Sequence, residues 1–245
     1  MMLLQAIRWL RSTFISIPLI VLGTLVATTL GIAASFAFPK SNLPDGIKRA
    51  WALWILAAGF VRLTVKGRKN IPPHSTILFC SNHLSYFDPP ALVVAIGQPV
   101  RFLAKESLFR IPLFGWAMRR AGDIPIAKEN PRSAARSLAR AAEVARAGTS
   151  LVVFPEGGRS LDGDLQPLLS GAFRLAIRAQ APVVPIAIRG SREVLRPGSL
   201  FLHGGTIEIV IGEPIPTFGL TARDQDVLST SVETAIRSML RAVIG

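Results

Sequence analysis

The sequence predicts an α/β domain, a sheet covered by helices, joined to an N-terminal membrane helix segment. Three observations predict it. Beyond Arg62, short β-branched and apolar runs alternate with stretches of helical period. From Ser12 to Pro39 no residue is charged, and at about 1.5 Å per residue a helix of that length exceeds the roughly 30 Å core of a bilayer. The charge is segregated as well: residues 1–70 hold nine Lys or Arg against one acid, Asp45, so +8 of the formal +13 lies beside the apolar segments. Segregation is how a chain can be 50% hydrophobic with a positive mean hydropathy and still have a pI of about 11.4.

The first apolar run follows Arg8 and Arg11 and ends near Ser35-Phe36-Ala37, a small-x-small site of the kind a signal peptidase cuts. It is longer than the usual signal core, so it reads as a retained anchor. Pro18, Gly23 and Gly31 allow either a span or a hairpin that re-enters one leaflet. Trp51 to Phe60, flanked by Lys48, Arg49 and Arg62, is too short to span and reads as interfacial, with its tryptophans at headgroup depth. Strands are predicted at Thr64–Lys66, Thr76–Ser81, Val100–Ala104, Ser150–Phe154, Val183–Ile188 and Thr206–Ile211, several apolar throughout as buried strands are. Helices are predicted at Pro89–Ile96, Pro131–Ala147, Ser170–Ala179 and Thr221–Val243. The texture changes between Arg62 and Gly67, which divides the chain into a membrane-anchoring segment, 1–61, and a catalytic domain, 62–245.

Composition and missing motifs exclude several functions. One cysteine and abundant apolar content rule out a disulfide scaffold and a disordered tail. Dinucleotide, Walker, serine-hydrolase and zinc motifs are absent, and nothing indicates a metal. The charge hugs the apolar segments and the chain has one tyrosine, so no nucleic-acid partner is predicted. Of three histidines, His74 and His203 lie among prolines and glycines and read as loop residues.

His83 stands in Ser81-Asn82-His83-Leu84-Ser85-Tyr86-Phe87-Asp88-Pro89-Pro90, directly after a predicted buried strand. Five residues apart on one helix, His83 and Asp88 would point about 140° away from each other. Across a turn they can meet, the carboxylate fixing the imidazole tautomer and leaving the second nitrogen as a base. Asp before Pro is equally the pattern of a simple helix N-cap, and one carboxylate can do both. A second polar cluster, Phe154-Pro155-Glu156-Gly157-Gly158-Arg159-Ser160, ends another apolar strand. Its glycines let a ligand approach the backbone, Arg159 offers a planar fork for phosphate, and Glu156 can accept from hydroxyls. Cys80 reads as a small buried residue, its side chain alternating away from its neighbours'. Arg132, Arg136 and Arg140 form a stripe on one helix opposite Ala134, Leu138, Ala141 and Ala145. A solvated face is the plain reading, and a dock for a phosphorylated acyl carrier or anionic lipid the sharper one.

These residues resemble the 1-acylglycerol-3-phosphate acyltransferases and their phospholipid and glycerol-phosphate acyltransferase relatives. Asn82-His83-x-Ser85-x-x-Asp88 is similar to the family's His-x4-Asp block, Phe154-Pro155-Glu156-Gly157-x-Arg159-Ser160 to its second, and Val184-Pro185-Ile186-Ala187-Ile188 to its last. Lys105-Glu106 through Pro112, and Gly115 to Gly122-Asp123-Ile124-Pro125-Ile126, are similar to the stretch between. Four ordered blocks are far more specific than any one. The resemblance implies a mixed central sheet flanked by helices, and transfer of a fatty acyl group from acyl-coenzyme A or acyl carrier protein to the hydroxyl of lysophosphatidic acid, giving phosphatidic acid. It implies His83 as the base and Asp88 as its orienting partner. Glu156, Gly157, Arg159, Lys128 and Ser85 are then the substrate-binding residues, no cofactor is needed beyond the thioester co-substrate, and the protein works on membrane phospholipids from the cytoplasmic side. Three departures bear on the acceptor: Gly158 where Thr is common, Ser170 where Lys is frequent, and Lys128 where Arg is frequent, which turns a bidentate contact into a point charge. They leave room for a lyso-ornithine lipid, another lysophospholipid or glycerol 3-phosphate. A noncatalytic lipid-binding protein is the competing class, and intact His83, Asp88 and Glu156 argue against it.

Overall fold

The computed structural model describes residues 2–127 and 130–242. α1 (Met2–Arg11), a π-helical turn (Ser12–Ser16) and α2 (Ile17–Ala37) run on as one helix. Pro18 lacks the N–H of a regular turn, and the wider turn before it absorbs the mismatch, Ile17 N–H reaching back to Ser12 O. The helix does not turn at Gly23 or Gly31. Thr24, Thr28 and Thr29 return their hydroxyls to carbonyls one turn back, so these three polar groups on an apolar helix each have a partner. Val21, Leu22, Leu25, Val26 and Leu30 are each about half exposed.

α3 (Leu43–Ala58) packs beside α2. Gly23 is a notch rather than a bend: a Cβ there would sit 2.2 Å from Trp54 Nε1. Through it Trp54 donates to Leu19 O at 2.8 Å, and Trp51 donates to Thr24 Oγ1 at 3.1 Å. The tryptophan N–H groups expected at headgroup depth are thus spent on the neighbouring helix, since an indole N–H in an apolar contact needs an acceptor. The inner side of α3 sends Ala52, Ile55 and Leu56 into the main core. Lys48 pairs with Asp123 at 3.0 Å and Asp45 with Arg101, fastening α3 to the sheet.

The sheet has seven strands: β1 (Val61–Lys66), β2 (Leu78–Ser81), β3 (Arg101–Lys105), β4 (Ile124–Ile126), β5 (Leu151–Val153), β6 (Val183–Arg189) and β7 (Gly205–Ile211). Their order is β1-β7-β6-β2-β5-β3-β4. All neighbours are parallel except β6 and β7, so the sheet is mixed. The helices are α4 (Asp88–Ile96), α5 (Phe114–Arg120), α6 (Pro131–Arg146), α7 (Gly171–Ala179), α8 (Ser191–Val194) and α9 (Gln225–Arg241). Strand alternation divides the core in two. Phe79, Val152, Val184 and Ile186 face α3 and α4. Leu78, Cys80, Leu151, Val153 and Val183 face α6, α7 and α9. Strands covered on both sides explain their apolar runs. Parallel β2, β5, β3 and β4 bring their carboxyl ends to one edge, where open α/β sheets take their ligands.

Candidate active site

β2 ends at Ser81, and Asn82 pins the chain to β6 by imitating a backbone bridge: its Nδ2 donates to Ile188 O at 2.9 Å and its Oδ1 accepts from Ile188 N at 2.7 Å. The chain then turns, and Asp88 opens α4. Asp88 is fully buried, and a single oxygen, Oδ2, accepts from His83 Nδ1 at 2.7 Å, Leu84 N at 2.6 Å and Ser85 N at 2.8 Å. The carboxylate therefore faces back over the turn rather than forward onto the free N–H groups of α4, where an N-cap would put it. With Nδ1 held by an acceptor, Nε2 is the nitrogen left to take a proton. The His83 side chain is 17% exposed and lies flat on Phe154, with ring centroids 3.9 Å apart.

The Pro155–Ser160 loop is stapled to His83 from both sides. Glu156 Oε1 accepts from His83 N at 2.6 Å, and Ser160 N donates to His83 O at 2.8 Å. Glu156 Oε2 accepts from Gln166 N at 2.9 Å, tying in a third strip of chain. Burial pushes the Glu156 carboxyl up to about 7, aided by the nearby Asp88 and Asp162 carboxylates and opposed by the two N–H donors. Gly157 takes the left-handed turn, φ 75°, that lets the loop double back. Arg159 lies between the two staples. Its guanidinium carbon is 3.7 Å from the centre of the Tyr86 ring, and its Nη1 is buried with no hydrogen-bond partner.

The structure thus brings His83, Asp88, Glu156, Gly157 and Arg159 together on two adjoining turns. It gives Ser85 a different task from the substrate contact expected of it: it is fully buried, its Oγ donating to Leu195 O at 2.8 Å and accepting from Phe87 N, so it shapes the turn. Glu156, expected to receive substrate hydroxyls, already has a backbone N–H on each oxygen. Lys128 lies outside the described residues. Gly158 has open space where a Cβ would stand. Cys80 is buried in the opposite core, and burial pushes its thiol far up, which leaves it inert. His74 is an exposed loop residue, and His203 packs edge-on against Phe201. Tyr86 and Phe154 make ring contacts at this site that sequence reasoning missed; both lie inside the recognised blocks, but only the fold shows which neighbour each ring meets.

Residues 62–189, more than half of the chain, match the family model described as Acyltransferase. A chloroplastic 1-acyl-sn-glycerol-3-phosphate acyltransferase of Brassica napus is 35% identical over 80% of this chain and 57% of its own length. One of Arabidopsis thaliana is 35% identical over 69% and 48%, so the chain spans only about half the length of these two relatives. A probable 1-acyl-sn-glycerol-3-phosphate acyltransferase of Mycoplasma pneumoniae is 32% identical over 76% of this chain and 72% of its own length. The crystal structure of the 1-acyl-sn-glycerophosphate (LPA) acyltransferase PlsC from Thermotoga maritima superposes with a TM-score of 0.84 over 98% of this chain and 99% of that one, at 24% identity, which supports the fold. With its mixed sheet, its family-model match and a relative covered over most of its length, this chain belongs to the Acyltransferase family.

Proposed function

We propose that the protein transfers a fatty acyl group from a thioester, acyl-coenzyme A or acyl carrier protein, to the free hydroxyl of lysophosphatidic acid, giving phosphatidic acid. The observation that carries this reading is the His83–Asp88 pair, with Nδ1 occupied and Nε2 left for a proton, at the ligand-binding edge of the sheet. Nε2 takes the proton of the acceptor hydroxyl as that oxygen attacks the thioester carbonyl. The carbon–sulfur bond breaks, the thiolate leaves, and the imidazolium returns its proton to it. Asp88 stabilises the imidazolium while it exists. General-base help of this kind is worth about 10²- to 10⁴-fold. Arg159 and the Gly157 backbone hold the glycerol phosphate, with Lys128 as a helper, and Glu156 keeps their loop against His83. No cofactor enters these steps.

The same reading treats 1–61 as the membrane-anchoring segment and 62–245 as the catalytic domain. The long helix is held to the domain near both ends: Leu202 N donates to Ser12 Oγ, and Arg120 donates to Ser35 Oγ and O, each at 2.9 Å. From residue 12 to 35 a helix advances about 35 Å. Held at both points, it lies along the domain in the plane of one leaflet, its half-exposed aliphatic side chains toward lipid. The neighbouring cations favour the cytoplasmic leaflet, where anionic headgroups gather. Lysophosphatidic acid then arrives from the bilayer and the thioester from solution.

The test is thioester consumption by detergent-purified protein, with mass spectrometry of the lipid product, across lysophosphatidic acid, lyso-ornithine lipid, other lysophospholipids and glycerol 3-phosphate. Phosphatidic acid as the dominant product supports the reading. Dominant acylation of another acceptor would move the function there, and no product from any acceptor would point to a noncatalytic lipid-binding protein.

A further inference from the structure

We propose that Tyr86 is a positioning residue for the acceptor's phosphate: its ring fixes the plane of the Arg159 guanidinium, so that one face is covered and only the in-plane N–H groups meet the phosphate. The inference rests on the acyltransferase reading above and adds to it a residue and a geometry. Tyr86 sits between His83 and Asp88 on the turn that carries the base, and Arg159 sits between Glu156 and Ser160, the two residues stapled to His83. The stack is thus a third contact between the same two loops. Its separation of 3.7 Å is van der Waals contact.

Two observations point to a ligand. A guanidinium carries five N–H donors, and a buried one without a partner is expensive to leave unmade. Arg159 Nη1 is such a donor, and among the described residues Arg159 makes no ion pair, so an anion is the partner that fits. Tyr86, for its part, keeps 58% of its surface exposed, which hydrophobic burial does not explain but a platform at a ligand site does. The distance from phosphate to free hydroxyl is fixed by the acceptor's glycerol. A guanidinium held in one plane therefore also sets where that hydroxyl lies relative to His83 Nε2.

The chain has one tyrosine, so protein labelled only at tyrosine Cζ gives a single NMR resonance, that of Tyr86. Titration with glycerol 3-phosphate should move that resonance saturably in the wild type and leave it unmoved in Arg159→Gln. In steady-state kinetics Tyr86→Ala should raise the KM for lysophosphatidic acid about 2- to 30-fold, the range a cation–π contact supplies, and leave the donor KM unchanged. Tyr86→Leu, which keeps bulk without a π face, should behave as Tyr86→Ala, and Tyr86→Phe should recover the acceptor KM. An unchanged acceptor KM in Tyr86→Ala, equal losses for Phe and Leu, or a resonance that ignores glycerol 3-phosphate would overturn the proposal. A resonance that responds in a protein that never acylates lysophosphatidic acid would uphold the positioning role and overturn the assigned acceptor instead.

Discussion

One oxygen of Asp88 accepts three hydrogen bonds, and this makes the residue structural as well as chemical. Asp88→Asn would turn an amide N–H₂ or a weaker acceptor toward donors at 2.6–2.8 Å. The expected result is a loss of about 10²- to 10⁴-fold in kcat with about 1–3 kcal/mol of stability, read from initial rates and denaturant melts. Glu156 carries a pH dependence. Its carboxyl titrates in the folded chain at about 7 against an ordinary 4.5, so the folded state holds a proton that the unfolded chain has lost. The stability this gives is fully present below pH 4.5 and is lost as pH rises through about 7. The ionised form is nevertheless the one that accepts both N–H donors, so the site is best formed where this residue stabilises the fold least. The stability of the wild type relative to Glu156→Gln should fall between pH 4.5 and 7 and level off above; a flat difference across that range would contradict the assignment. The His83–Asp88 pairing was legible because a turn is the one local geometry that joins residues five apart. The direction in which Asp88 faces was not, because Asp-Pro is written identically for an N-cap and for a carboxylate turned backward.

At the scale of elements, the runs buried on both faces were legible. β2, β6 and β7 lie within two residues of their predicted bounds, because apolar strands enclosed by helices leave an unbroken signal. β4 was invisible: it has three residues with Pro125 in the middle, and proline marks a break unless the strand lies at a sheet edge, as this one does. α5, with seven residues, is too short for a periodic pattern. The start of α9 moved because Thr221 caps a 3-10 turn before the helix begins at Gln225. Gly23, which the sequence leaves compatible with a span or a hairpin, is a docking notch for Trp54, a role defined only by the partner. Gly23→Leu should force Trp54 out and cost about 1–3 kcal/mol, with a red-shifted tryptophan emission and a lower melting temperature. On α6 the buried face is Ala141, Ala142 and Ala145, while Arg132, Arg136 and Arg140 are exposed. Replacing all three with Gln should leave the donor KM and vesicle binding unchanged, as for a solvated face; a raised donor KM would make the stripe a docking surface.

For the whole molecule, the sequence carried the presence of an apolar helix and the cations beside it, but not its course, because hydropathy is the same for a helix that crosses a bilayer and one that lies in it. Under the proposed reading, the contacts at Ser12 and Ser35 favour the helix that lies in it. Cysteines placed at Gln5→Cys and Thr230→Cys should be labelled from the same side of sealed membranes, with buried Cys80 silent; labelling from opposite sides would mean that the helix leaves the domain and spans. The proposed chemistry converges on a single nitrogen, His83 Nε2, on a ring that Asp88 holds through Nδ1 and that the stapled Glu156–Ser160 loop flanks. The most direct measurement is the rate of phosphatidic acid formation by His83→Ala beside the wild type, with melting temperatures taken on the same preparations. A loss of 10²-fold or more in a variant that still melts cooperatively is predicted; a rate within a few-fold of the wild type would mean that another group is the base.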